Sequence, residues 1–129
     1  MGKEFVYELK SEKSFGEVVS NIETGAPQNG FRVLAVHDVQ KTLAEKGLER
    51  GPLKIIEVCN GVFAHQALNL DADVSMFMPC RYSVYEDSGK TVVKLNRPSM
   101  IAEMLPEAGL ESLAAEVEKT LRKIMQESV

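Results

Sequence analysis

The apolar residues of this chain repeat at two different spacings, and that limits its fold more than any other feature. Phe15, Val18, Val19 and Ile22 stand at i, i+3, i+4 and i+7, which lines one face of an α-helix. The same rule returns at Leu110, Leu113, Ala114, Val117, Leu121 and Ile124. Glu111, Glu116, Glu118, Lys119 and Lys123 then fall on the solvated side of that last helix. Between these two stripes the period drops to two, the repeat of a strand whose side chains point alternately to opposite faces.

The boundaries follow from local chemistry. Phe5, Tyr7 and Leu9 alternate and predict a first strand at about 3–9. Ser14 and Glu17 form an S-x-x-E capping box that opens the first helix. Gly25, Pro27 and Gly30 end that helix before residue 30. Phe31 to His37 reads as the second strand. Asp38 reads as the N-cap of a short helix closed by Gly47. Leu53 to Cys59 is the third strand, and Asn60 caps a short helix over Val62 to Leu68 that ends near Asn69. From Val74 to Glu86 the alternation predicts one strand, its inner face formed by Val74, Met76, Met78, Cys80, Tyr82 and Val84. Pro79 has no backbone donor and predicts a bulge, edge or break in it. Asp87-Ser88-Gly89-Lys90 is a hairpin connection to a strand at Thr91 to Leu95. Pro98 starts a helix over about 98–105, and the last helix spans about 109–127.

This order fits neither regular βαβ alternation nor an unbroken run of strands. It predicts an α+β fold: a curved, mostly antiparallel sheet with the two longer helices on one face. Ile55 and Ile56 are adjacent, so both faces of the third strand carry apolar residues. That points to a second covered face and a second copy of the chain as its cover.

A chain of 129 residues matches one domain and buries roughly two-thirds of its unfolded surface, enough for a core without metal or disulfide support. Acids outnumber bases by 19 to 15, for a net charge of −4. That balance disfavours nucleic acid, whose binding depends on displacing counterions with cations. The first five residues carry no apolar run of a secretory leader, and no stretch reaches the ~20 apolar residues of a membrane span. The expected location is the cytoplasm, where Cys59 and Cys80 stay thiols.

Those cysteines are the residues with the most chemical interest. Cys59 ends the third strand and Cys80 lies in the next, so antiparallel pairing brings both to one end of the sheet. Asn60 and His65 flank them. A thiol beside a helix N-terminus favours the thiolate, and thiolates with thioethers such as Met76 and Met78 are soft ligands for copper(I) or zinc. The competing reading is burial, because free cysteine packs as a small hydrophobe. The alternation already accounts for Met76 and Met78 as core. Two cysteines 21 positions apart lack the spacing of a structural zinc knuckle. Asp71 and Asp73 read as a solvated turn. Arg81 and Arg97 are candidate anion receivers that more often face solvent. No phosphate loop, nucleophile elbow or catalytic triad is present.

Several segments in order resemble the family known as domain of unknown function 302. The likeness runs through Gly30-Phe31-Arg32-Val33-Leu34, Asp38-Val39-Gln40-Lys41-Thr42-Leu43 and Ile55-Ile56-Glu57-Val58-Cys59-Asn60. It continues through Ala64-His65-Gln66-Ala67-Leu68, Met78-Pro79-Cys80-Arg81-Tyr82-Ser83-Val84-Tyr85-Glu86, Lys90-Thr91-Val92-Val93 and the Pro98 helix. The resemblance implies a β-α-β4-α fold like half of the TATA-binding protein, and a homodimer. It implies neither DNA binding nor an activity. Cys59-Asn60 and Pro79-Cys80 match the family pattern, whereas Gly61-Val62 stand where the family leads one to expect proline.

Three functions follow as expectations. The first is a dimeric domain binding a small ligand or soft metal ion near Cys59, Asn60, His65 and Cys80. The second is a thiol-dependent enzyme or sulfur carrier with one cysteine as nucleophile. The third is a structural or protein-interaction module. No cofactor is specified.

Overall fold

The computed structural model describes residues 5–129. Residues 3 and 4, where the first expected strand begins, lie outside that range. The chain forms strands β1 (Val6–Ser11), β2 (Arg32–Asp38), β3 (Leu53–Cys59), β4 (Cys80–Asp87) and β5 (Lys90–Asn96). Its helices are α1 (Phe15–Gln28), α2 (Val39–Ala44), α3 (Gly61–Leu70), α4 (Pro98–Met104) and α5 (Glu111–Ser128). The strands make one antiparallel, curved sheet in the order β1-β5-β4-β3-β2. The expected α+β architecture is the observed one.

The caps read from the sequence are present. Ser14 Oγ accepts from the Glu17 amide at 3.2 Å, and Asp38 Oδ1 from the Lys41 amide at 3.0 Å. Helix α1 runs past Gly25 and carries Pro27 in its last turn. It stops where Gly30 takes φ +83°. There the Phe31 amide donates to Ala26 O and the Gly30 amide to Pro27 O. This left-handed ending satisfies the last carbonyls and suits glycine. Between β4 and β5, Ser88 and Gly89 both have positive φ, at 52° and 80°, the turn whose twist matches a two-residue hairpin.

One face of the sheet carries the main core. Val18 and Ile22 of α1 and Leu121 and Ile124 of α5 pack with Ile56, Tyr82, Val84 and Leu95, all fully buried. Tyr82 Oη donates a 2.7 Å hydrogen bond to Leu121 O, tying the sheet to α5. Cross-strand pairing puts Glu8, Lys94, Ser83, Ile55 and His37 in one row on the opposite face. Ile55 is therefore half-buried among polar neighbours while Ile56 enters the core.

A second, smaller core joins Val74, Ala102, Leu110 and Ala114, with Ala67, Met78 and Ile101 packed against it. Here the expectation of one long strand from Val74 to Glu86 is wrong. Residues Ala72–Phe77 form a 3₁₀ turn, and β4 starts only at Cys80. Asp71 Oδ1 accepts from the Asp73 amide at 2.8 Å and opens that turn, a local alternative to extended pairing. Pro79 then marks the expected break. Met76 consequently sits outside the core, 79% exposed. Glu118 is the second correction: placed on the solvated side of the last helix, it is 7% exposed. Its carboxylate accepts from the Ser99 amide and hydroxyl and pairs with Arg97. Those partners come from the start of α4, which helical periodicity cannot reveal.

Candidate functional site

The two cores meet along a seam, and a cavity of about 80 Å³ lies in it. Phe31, Val58, Phe63 and Val117 come to it from the main core, and Val74, Met78, Leu110 and Ala114 from the smaller one. Cys59, Asn60 and Cys80 also line it. Ala64 and Ala67 on α3 and Ala114 on α5 are among the lining residues, and side chains this small in a wall leave volume unfilled.

Three of the four candidate residues are thus brought together. Val58 pairs with Cys80 across β3 and β4, so Cys59 is offset from Cys80 by one position at the same end of the sheet. His65 is exposed on α3 and is not part of the cavity wall. Arg81 is exposed, and Arg97 is joined to Glu118 at 3.3 Å. Phe63, Ala67, Ala114 and Val117 were not singled out as site residues. Only the run of alanines on two helix faces hinted at them.

Asn60 fixes the mouth. Its Oδ1 accepts from the Phe63 amide at 3.1 Å, capping α3, and its Nδ2 donates to Gly30 O at 3.0 Å. A Cβ on Gly30 would approach Nδ2 to 3.3 Å, so the contact also favours glycine there. Asn60→Ala removes the cap and the tie together and is expected to cost about 2 kcal/mol. Asn60→Asp keeps the cap and should lose about half of that. Urea unfolding of both variants checks it, and an alanine variant as stable as the parent would contradict the dual role.

Burial pushes the Cys80 thiol up to about 11; the neighbouring Cys59 adds to the rise and Arg81 opposes it. An activated nucleophile needs the reverse shift. At neutral pH Cys80 is a protonated, weakly polar part of an apolar wall. Asn60 is the one amide side chain among the lining residues, and one of its N–H donors and its oxygen are each engaged by the backbone. The chamber therefore offers shape and dispersion contact rather than charge.

A model of the family described as domain of unknown function DUF302 matches residues 7–128. The chain belongs to the DUF302 family. A crystal structure of an uncharacterized conserved DUF302 protein from Bacillus stearothermophilus is similar to it over its length. That protein is 32% identical, the match covers 98% of this chain and 99% of the other, and the TM-score is 0.92. No curated protein matches the chain. The cavity thus sits within a DUF302 fold. Among the described residues of this DUF302 chain, no helix is long and apolar enough to cross a membrane.

Proposed function

We propose that this chain is a small cytoplasmic binding domain that takes a compact apolar molecule into the seam between its two cores and works as a pair of identical copies. The observation that carries the reading is the cavity wall: apolar side chains, the Cys59 and Cys80 thiols, the latter protonated, and a single amide tied to the backbone by one bond at each end. Apolar cavities of ~150 Å³ admit benzene. At about 80 Å³, this one suits a guest of few heavy atoms or the end of an aliphatic chain.

The donor set suits a neutral guest better than a soft metal ion. A metal needs the thiolate, and among the described residues no three His, Cys, Asp or Glu side chains form a ligand cluster. A thiol-dependent reaction or sulfur transfer meets the same obstacle at Cys80. The paired state is supported by the edge strand β2, where Leu34 and Val36 are exposed, since an open strand edge is a template for association. Sedimentation across a range of concentrations, read for a species of twice the chain mass, tests it.

Binding is tested by nuclear magnetic resonance titration with xenon and with 2-methylpropan-1-ol. Saturable shifts at Phe63, Ala67 and Ala114 are expected. Ala114→Leu adds three carbons at the cavity wall and should abolish them while the spectrum stays that of a folded domain. If neither probe gives saturable shifts at these positions, the seam is only loose packing and the structural-module reading takes its place.

A further inference from the structure

On the other side of α5 a groove of about 360 Å³ is lined by Arg97, Ser99, Glu118, Lys119, Arg122 and Gln126, together with Ala115. It shares no lining residue with the apolar cavity. Among the described residues its charges are unequal: three cations stand beside one carboxylate.

That carboxylate is already committed. Glu118 Oε1 accepts from the Ser99 amide at 3.1 Å and the Ser99 hydroxyl at 2.7 Å, and Oε2 from Arg97 Nε at 3.3 Å. Burial alone would raise the pKa of Glu118, but the Ser99 hydrogen bonds and the Arg97 guanidinium outweigh that and hold it below the ordinary range. Glu118 is therefore ionised at neutral pH and balanced by Arg97.

Arg122 is placed differently. Its guanidinium carbon lies 3.9 Å from the centroid of the Tyr7 ring, a stacked arrangement that holds the plane of the fork. The Tyr7 hydroxyl in turn accepts from Gln126 Nε2 at 3.3 Å. Arg122 Nε is buried without a hydrogen-bond partner, 3.8 Å from Glu118 Oε2, beyond the reach of a hydrogen bond. A guanidinium has five N–H donors, and among the described residues none of those of Arg122 meets an acceptor. Its side chain is 37% exposed, so the fork is fixed from behind and open in front. Lys119 stands one helical turn before it on α5, at i−3, and faces the same groove.

We propose that this groove is a binding site for a small oxyanion, a carboxylate or a phosphate group, received by the stacked Arg122 fork and by Lys119. A planar fork held against a ring donates to two oxygens of one anion side by side. Ser99 and Arg97 contribute by holding both Glu118 oxygens, so that the carboxylate meets Arg122 as an ion pair at 3.8 Å and takes none of its donors in a hydrogen bond.

The test is a pair of nuclear magnetic resonance titrations at pH 7, with inorganic phosphate and with acetate, each exchanged against chloride at constant ionic strength. Saturable shifts at Ser99, Lys119 and Arg122 are expected for at least one anion, and the anion that saturates names the class. Lys119→Gln, an exposed change, should weaken binding at least threefold. Arg122→Lys keeps the charge but loses the fork and should weaken it at least fivefold. Both variants are compared only as folded proteins, judged by the rest of their spectra. If Arg122→Lys unfolds the domain, Lys119→Gln alone decides. Shifts that grow linearly with both anions, or affinities within twofold of the parent in every folded variant, overturn the site.

Discussion

Tyr82→Ala is expected to leave the domain largely unfolded at 37 °C. Tyr82 is fully buried in the centre of the sheet, packed among residues of the main core, and its hydroxyl donates to Leu121 O at 2.7 Å. Cutting a buried aromatic back to alanine costs roughly 3–5 kcal/mol through lost transfer energy and the cavity left behind. The missing hydrogen bond adds about 1 kcal/mol. The sum, roughly 4–6 kcal/mol, is comparable to the whole stability of many small domains. Tyr82→Phe separates the two contributions. It keeps the ring and loses one bond to a carbonyl inside α5, so about 1–1.5 kcal/mol is expected. Urea unfolding followed by circular dichroism reads both. An alanine variant that melts within a few degrees of the parent would contradict the assignment of Tyr82 to the centre of the core.

A second large effect is expected in alkali. Burial carries the folded Cys80 thiol from its ordinary 9.0 to about 11. Burial, and then the nearby Cys80, moves the Tyr82 hydroxyl far above its own ordinary value. The unfolded chain releases the thiol proton from about pH 9 upward, while the folded chain keeps it to about 11. In that window the unfolded state holds fewer protons, so stability falls as pH rises. At about 1.4 kcal/mol per pH unit, Cys80 accounts for roughly 2.5 kcal/mol by pH 11, and Tyr82 for about 1.4 kcal/mol more from pH 10. The comparison is between urea midpoints at pH 8 and pH 11. Cys80→Ala should remove about half of the loss and Cys80→Ala with Tyr82→Phe most of it, the Lys94 ammonium, raised by Tyr85 and Glu8, leaving a remainder. Equal losses in the parent and in Cys80→Ala would show that burial does not hold this proton.

Ser14, Asp38 and Asn60 were legible because a cap acts over three residues, and its side chain and the amide it satisfies are written close together. The 3₁₀ turn at 72–77 was misread because Val74, Met76 and Met78 mimic the alternation of a strand. The hydrogen bond that breaks it comes from Asp71, a residue that looked like part of a solvated loop. Glu118 was misread for the complementary reason. Its helix position is polar by pattern, and only the start of α4, some twenty residues earlier, supplies the Ser99 and Arg97 groups that bury it. The candidate site divides in the same way. Cys59, Asn60 and Cys80 stood out by residue type, but the alanines that line the cavity are ordinary helix residues until the fold brings two helices to it.

The sequence by itself determined the class of fold, most element boundaries and the capping residues, because these depend on spacing and on contacts within a few positions of the chain. Tertiary structure alone decided which helix faces meet, where a seam stays open, that Cys80 keeps its proton to higher pH, and that Arg122 lies on Tyr7 with its Nε unmet among the described residues. Those properties arise from groups far apart in the chain, whose desolvation and packing have no local signature.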